Sequence, residues 1–285
     1  MLARLNLYWL GRTVVGLVAL GSTLAAAPAS AGPRDWAVHA VRLGGDTATA
    51  QPYIDKFMRY VDAQAGWTPA NKGSFLASRR EALAYIDANR PGFALMEPSL
   101  YLELKKSKGL EVIAQVQSRE LTTPRLHLVV KSAAFASLAD LKGKSLWTLW
   151  GESPAYLTKL VFDGKVDAGS HFQLKAVGQA LKGVRGLLRG ECDATLLDDE
   201  QLAAAKKLPG GADLRILHSS GNLPPLPMVF FAGAGNAADK AALVKVLTGM
   251  CDSATGAAVC KELKIERIVG VNGAVFTEAE KKYGL

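Results

Sequence analysis

The sequence predicts a two-lobed α/β protein, with two mostly parallel sheets flanked by helices and joined by a two-strand hinge. Three observations predict it. Short apolar runs alternate with amphipathic helical stretches along most of the chain, the pattern of a parallel sheet covered on both faces. Two of those runs end in the same way, Phe93-Ala94-Leu95-Met96 before Glu97-Pro98 and Ser145 to Trp150 before Ser153-Pro154, so a buried strand passes directly into a proline-started helix. Two further apolar runs, Arg125 to Lys131 and Met228 to Phe231, have no helix leading into them and read as the chain crossing to a second lobe and back.

The chain has 285 residues, 49% hydrophobic and 21% charged, which is globular and long enough for two units of ordinary size. Its start is different. Arg4 and Arg12 precede an apolar run from Thr13 to Ala27, and Ala29-Ser30-Ala31 is a small-residue cleavage pattern, so residues 1–31 read as a secretory signal peptide. The first 50 residues contain no cysteine to carry a lipid anchor. No later stretch is apolar for the length of a membrane span, so the mature, exported protein is expected to be soluble.

In order, Trp36 to Leu43 reads as a strand ending at Gly44-Gly45-Asp46-Thr47. A helix follows over Thr49 to Ala65, with Ile54, Phe57, Met58 and Val61 on one face. Trp67 to Asn71 reads as a short strand and Phe75 to Ala88 as a helix. After the Phe93 strand and the Pro98 helix comes a strand from Leu110 to Gln117. The second lobe opens with SLADLKGKSLWTLWGES, in which Ser137 to Lys142 is one helical turn and Gly143 can take the positive φ that ends it. A helix over Pro154 to Phe162, a strand over Phe172 to Val177 and a helix over Gln179 to Leu188 follow. Cys192 to Leu197 is a strand ending in Asp198-Asp199, then a helix to Lys207 and a strand from Leu214 to His218. Gly221 to Pro227 is held extended by its prolines. The remainder is helical to about Lys264 and packs on the first lobe. Lobe I is therefore expected over 32–128 plus 226–285, and lobe II over 129–225.

Ligands of open α/β sheets gather at the carboxyl ends of strands. Candidate binding residues there are Glu97 and Ser99, Trp150, Glu152, Ser153 and Tyr156, Asp198, and the loop residues Asp46 and Thr47. Each has a plainer use. Ser153 can simply cap its helix, Glu97 and Asp198 can offset a helix N-terminus, Asp46 and Thr47 can start the first helix, and Trp150 and Tyr156 can be core. Arg125 can pair with an anion or with Glu97, and His127 reads as structural. The net charge of +8 is spread over helical faces such as Arg79-Arg80 and Lys105-Lys106, which reads as solvation rather than nucleic-acid binding. Of three cysteines, Cys251 and Cys260 lie close together in an exported chain, which favours a disulfide, while Cys192 starts an apolar strand. No Cys/His cluster has zinc spacing, no cofactor is expected, and no hydrolase or phosphate-loop motif is present, so the chain is not expected to be an enzyme.

SLADLKGKSLWTLWGES, RGECDATLLDD and GFALMEPSLYL together resemble type 2 periplasmic solute-binding proteins of ABC transporters, closest to the phosphate/phosphite/phosphonate-binding branch. The resemblance spans roughly Trp36 to Val271. It implies the type 2 binding-protein fold, a small-molecule ligand held between the lobes, a membrane ABC permease as transient partner, and a monomer. Where that branch has a Ser-x-Ser-Gly-like run, this chain has Gly151-Glu152-Ser153-Pro154, keeping one hydroxyl and adding a carboxylate. With Glu97, that favours an anionic or zwitterionic ligand that also offers a donor. A ligand-sensing domain for a membrane signalling partner shares this fold, and an exported hydrolase is the reading from another class.

Overall fold

The structure, a computed structural model, describes residues 34–41, 47–68, 70–117, 124–131, 133–263 and 265–285. The expected signal peptide lies outside the described residues. The chain runs β1 (Trp36–His39), α1 (Thr47–Ala65), β2 (Gly73–Phe75), α2 (Arg79–Asn89), β3 (Phe93–Met96), α3 (Pro98–Lys108) and β4 (Leu110–Gln117). It continues through β5 (His127–Val130), β6 (Lys144–Thr148), α4 (Pro154–Tyr156) with a π-helical turn over Leu157–Val161, and α5 (Ala168–His171). Next come β7 (Phe172–Ala176), α6 (Ala180–Arg189), β8 (Ala194–Leu197), α7 (Asp199–Lys206) and β9 (Arg215–Ser219). β10 (Leu226–Phe231), α8 (Ala237–Leu247), α9 (Ala254–Glu262), β11 (Arg267–Val269) and α10 (Gly273–Tyr283) complete it.

Two sheets result, a six-stranded one in the order β11-β4-β10-β3-β1-β2 and a five-stranded one in the order β7-β6-β8-β5-β9. They are mixed rather than mostly parallel. β1 pairs in parallel with β2 and β3, but β10 lies antiparallel between β3 and β4. In the second sheet β6 pairs in parallel with β7 and β8, while β5 is antiparallel to β8 and β9. The physical reason is the crossings. β5 and β10 are the strands that arrive from the other sheet, so they enter from the shared side and run against their neighbours. β5 also corrects the expected boundary: His127 and Leu128 already pair in the second sheet, so the crossing precedes His127.

Local sequence explains most elements. α1 buries Ile54, Phe57, Met58 and Val61, the predicted stripe. α2 begins later than expected because Phe75 ends β2 and Ser78 builds a capping box with Glu81, its side chain accepting from the Glu81 N–H while Glu81 closes back on the cap. Among the described residues of the stretch Trp67 to Asn71 none is in a strand; the strand is Gly73–Phe75, paired with β1. β11 and α10 were not expected. One packed core joins Trp36, Phe57, Phe93, Met228 and Leu243 on one face of the first sheet. Another runs without a break from Met96, Leu100 and Tyr101 to Leu146, Trp150, Leu157 and Phe162, so the two sheets share buried surface. α10 spans the same junction, with Tyr101 against Glu280 on one side and Lys282 Nζ 3.0 Å from Asp163 Oδ1 on the other. Among the described residues no single helix is long and apolar enough to cross a membrane.

Cys251 and Cys260 are disulfide-bonded, with Cα atoms 5.5 Å apart, and Cys192 is a free, buried thiol. Burial, with Asp193 and Glu191 nearby, pushes the Cys192 thiol up to about 12, so it stays protonated and unreactive. Thiol labelling of the unfolded, unreduced protein should therefore modify one cysteine; three labels would refute the bridge. Changing both Cys251 and Cys260 to serine should cost about 2–3 kcal/mol for so short a loop.

Candidate functional site

Two strand ends face each other across the junction. On one side, β3 is fully buried and delivers Glu97, whose N–H donates to His39 O at 2.9 Å. Glu97 stands at the N-cap of α3 with Pro98 following, yet its side chain makes no cap bond. It reaches across instead: Trp150 Nε1 donates to Glu97 Oε2 at 3.2 Å. Glu97 is 2% exposed, and its Oε1 is buried with no partner. On the other side, β6 ends in the turn carrying Trp150, Gly151 and Glu152. Gly151 lets this turn press on the end of β7, where an added Cβ would lie 2.5 Å from Ala176 N. Ser153 N donates to Trp150 O at 2.9 Å, but the Ser153 hydroxyl does not cap α4. Both helix starts thus lack a side-chain cap, leaving backbone N–H groups and a positive partial charge at the junction.

Glu97 and Trp150 line two cavities at this junction. The first, of about 190 Å³, brings Glu97, Ser99, Trp150, Glu152 and Ser153 together as the sequence predicts. It also takes in His39, Ser78 and Arg79, which sequence reasoning missed. His39 Nδ1 donates to Leu76 O at 2.9 Å, leaving Nε2 as the neutral ring's acceptor. Arg79 is held by Glu103, with Nε 3.2 Å from Oε2, and is a wall of the cavity rather than a solvated face. The Ser78-x-x-Glu81 capping box was the available signal, since it places Arg79 at the first turn of α2.

The second cavity, of about 310 Å³, holds Tyr156 and Asp198 together with Asp199 and Arg125. Asp198 performs its plainer use as well, capping α7 by accepting from Gln201 N at 2.8 Å. Arg125 pairs with Asp199 at 3.4 Å and not with Glu97. Thr47 is exposed and lines neither cavity, and Asp46 lies outside the described residues. Among the described residues no group of three or more side chains is placed to hold a metal ion.

His127 Nδ1 lies 2.8 Å from Ser219 Oγ and its Nε2 lies 3.0 Å from Asp199 Oδ1, a serine–histidine–aspartate chain. Neither end of this chain of contacts faces a nucleophile-and-oxyanion arrangement among the described residues. Ser219 lines neither cavity, and the N–H that follows it, on Ser220, is spent on Leu126 O at 2.9 Å instead of facing a reaction centre.

Residues 52–276 match the family described as the periplasmic substrate-binding protein of the ABC phosphonate transporter. No curated protein matches the chain in sequence. Solved structures share the fold at low identity. A Xanthomonas citri protein bound to chloride is 14% identical, covering 88% of this chain and 96% of its own, with a TM-score of 0.69. The binding-protein component of a Pseudomonas aeruginosa ABC phosphonate transporter is 12% identical, covering 89% and 88%, with a TM-score of 0.62. PhnD1 from Prochlorococcus marinus in complex with methylphosphonate is 13% identical, covering 88% and 97%, also at 0.62.

Proposed function

The chain belongs to the phosphonate-binding family of periplasmic ABC-transporter substrate-binding proteins, and from that premise we propose which solute it takes and where. Its role is to bind a solute in the periplasm for an ABC permease. The proposed ligand is a small organic anion that also carries an N–H or O–H donor, held in the first cavity between the starts of α3 and α4. The anionic part meets Ser99, Ser153 and the uncapped N–H groups of both helices. Glu97 accepts the donor, Trp150 offers an apolar face, and Glu152 stands at the exposed rim. Two carboxylates beside the helix starts repel a bare dianion.

The observation that carries this reading is the buried, unpartnered Oε1 of Glu97 beside two uncapped helix starts. A buried carboxylate oxygen without a donor costs free energy, and a bound donor removes that cost. The two sheets are read as lobes that open about the crossing segments before β5 and β10. The same proposal has residues 1–31 removed on export, with no lipid anchor, and the mature chain acting as a monomer without catalysis or nucleic-acid binding.

A panel of phosphonates, sulfonates, amino acids and organic acids tests the proposal by thermal shift. A true ligand at 100 times its Kd should stabilise the chain by about 2.7 kcal/mol, a rise of several degrees in Tm. If bare phosphate alone produces the shift, the roles given to Glu97 and Glu152 are wrong.

A further inference from the structure

We propose that the end of α10 is an ionic strap that ties the two sheets together and holds the two helix starts of the first cavity at their present spacing. This rests on the reading of the sheets as lobes that open about the crossing segments. α10 is anchored on the side of the first sheet. Just before it, Asn272 N donates to Gln115 Oε1 on β4 at 2.9 Å. The Phe276 ring meets the Tyr101 ring edge-on at 5.8 Å, and Glu280 accepts from Tyr101 and pairs with Lys105 at 3.0 Å. Tyr101 and Lys105 lie on α3, the helix that begins beside Glu97. The last turn of α10 reaches the side of the second sheet. Lys282 Nζ lies 3.0 Å from Asp163 Oδ1, and Lys159 donates to Tyr283 O with its ammonium 4.7 Å from the centre of the Tyr283 ring. Lys159 lies in the π-helical turn that continues α4, and Asp163 lies just after it.

So α10 grips both helical segments whose starts face each other across the first cavity, and it grips them unequally. Its hold on the first side includes buried Phe276 and Ala279. Its ionic hold on the second side faces solvent, with Lys159 and Asp163 both exposed. If the sheets part, α10 travels with the first, and the contacts of Lys282 and Tyr283 are the ones that break. The turn that presents Asp163 is itself unusual. Asp163 has a φ of 52°, in the left-handed region that residues other than glycine rarely adopt, ahead of Gly164 at 73°. The hydrogen bond from Lys282 holds the Asp163 carboxyl below its ordinary value, so the pair is charged at neutral pH. A Cβ on Gly221, in the second crossing segment, would lie 4.0 Å from Lys282 Nζ, so the strap acts beside the pivot, where a small parting is a larger one at the cavity. A cavity assembled for only part of the time binds correspondingly less tightly, so the strap raises affinity for whichever solute the first cavity takes.

The test measures the distance between spin labels on cysteines introduced at Arg80 and Gln179, exposed residues next to Arg79 and Gly178 on the walls of the first cavity. Only these two thiols should take label, because Cys251 and Cys260 are bridged and Cys192 is buried. In the full, unliganded chain, Asp163→Asn combined with Lys159→Gln should raise the share of a longer-distance population by about threefold, the worth of exposed ion pairs. Asparagine tolerates the left-handed backbone, so the turn survives, and melting curves check that the variants fold. Lys282→Met should lengthen the distance in the same direction and Lys282→Arg should not. Salt screens exposed pairs, so raising it from about 0.05 M to about 1 M should lengthen the distance in the unaltered chain and change little in the double variant. The unliganded chain is read throughout, so the outcome does not depend on which solute binds. Lengthening by salt in the double variant as large as in the unaltered chain would refute the strap and leave the opening of the lobes in place. A distance that moves under none of these conditions would refute both.

Discussion

Placing a methyl group on Gly151 should weaken ligand binding by about tenfold or more and cost about 1–3 kcal/mol of stability, the usual range for overpacking. Its Cβ would meet backbone, 2.5 Å from Ala176 N and 2.7 Å from Ala176 Cα and Lys175 C, so no side-chain rotation relieves the clash. The turn holding Trp150, Glu152 and Ser153 must then move away from the end of β7, and both sides of that gap are walls of the first cavity. The same change at Gly233, where nothing lies within 4 Å of an added Cβ, should leave melting temperature and affinity close to those of the unaltered chain. Melting curves with titration of the best panel ligand read both effects. An unaltered affinity for Gly151→Ala would show that this turn does not shape the binding site.

Trp36→Ala should destabilise the chain by about 3–5 kcal/mol, a large share of the total for an ordinary globular protein. Trp36 is 0% exposed, with its ring 5.6 Å edge-on from Phe57 and 5.5 Å from Phe93. It lies on β1, which is hydrogen-bonded to β2 and β3, so its loss opens a cavity in the core that covers these strands. The indole N–H has no partner, so Trp36→Phe sacrifices no hydrogen bond and should cost much less. Tyr53→Ala, on the exposed side of α1 at 45% exposure, should change stability by no more than about 0.5 kcal/mol. Urea denaturation should show the midpoint falling for Trp36→Ala with little change in slope.

What the sequence revealed was largely local chemistry. Phe93 to Met96 before Glu97-Pro98, and the β6 strand before Ser153-Pro154, were legible because a buried strand needs apolar side chains on both faces and proline is tolerated at the first helical position. The stripe on α1 was legible from spacing alone. Pairing was not. Arg125 to Lys131 reads as a strand, but its antiparallel position beside β8 depends on residues about 70 positions away. β2 has only three residues, beginning Gly-Ser, and carries too little pattern to locate.

The site divides in the same way. Glu97, Ser99, Glu152 and Ser153 were named from strand ends, and they line one cavity. The hydrogen bond between Trp150 and Glu97 joins positions 53 residues apart, just beyond the ends of β6 and β3, and no local signal pairs them. Arg79 was missed because the Arg79-Arg80 pair reads as a solvated helix face, whereas Arg79 is held by Glu103 at the wall of the first cavity. Asp199 was overlooked beside Asp198, although it is the neighbour whose carboxylate is left incomplete.

The most direct test of a solute held between Glu97 and Ser153 is calorimetric titration of the tightest panel ligand into Glu97→Gln, Ser153→Ala and His218→Ala. His218 lines neither cavity and its Nε2 is engaged by Val161 O at 2.8 Å. The account predicts affinity losses of about tenfold or more for the first two variants, the worth of a buried hydrogen bond to a charged group, and an unaltered affinity for His218→Ala. Undiminished affinity in Glu97→Gln would contradict it.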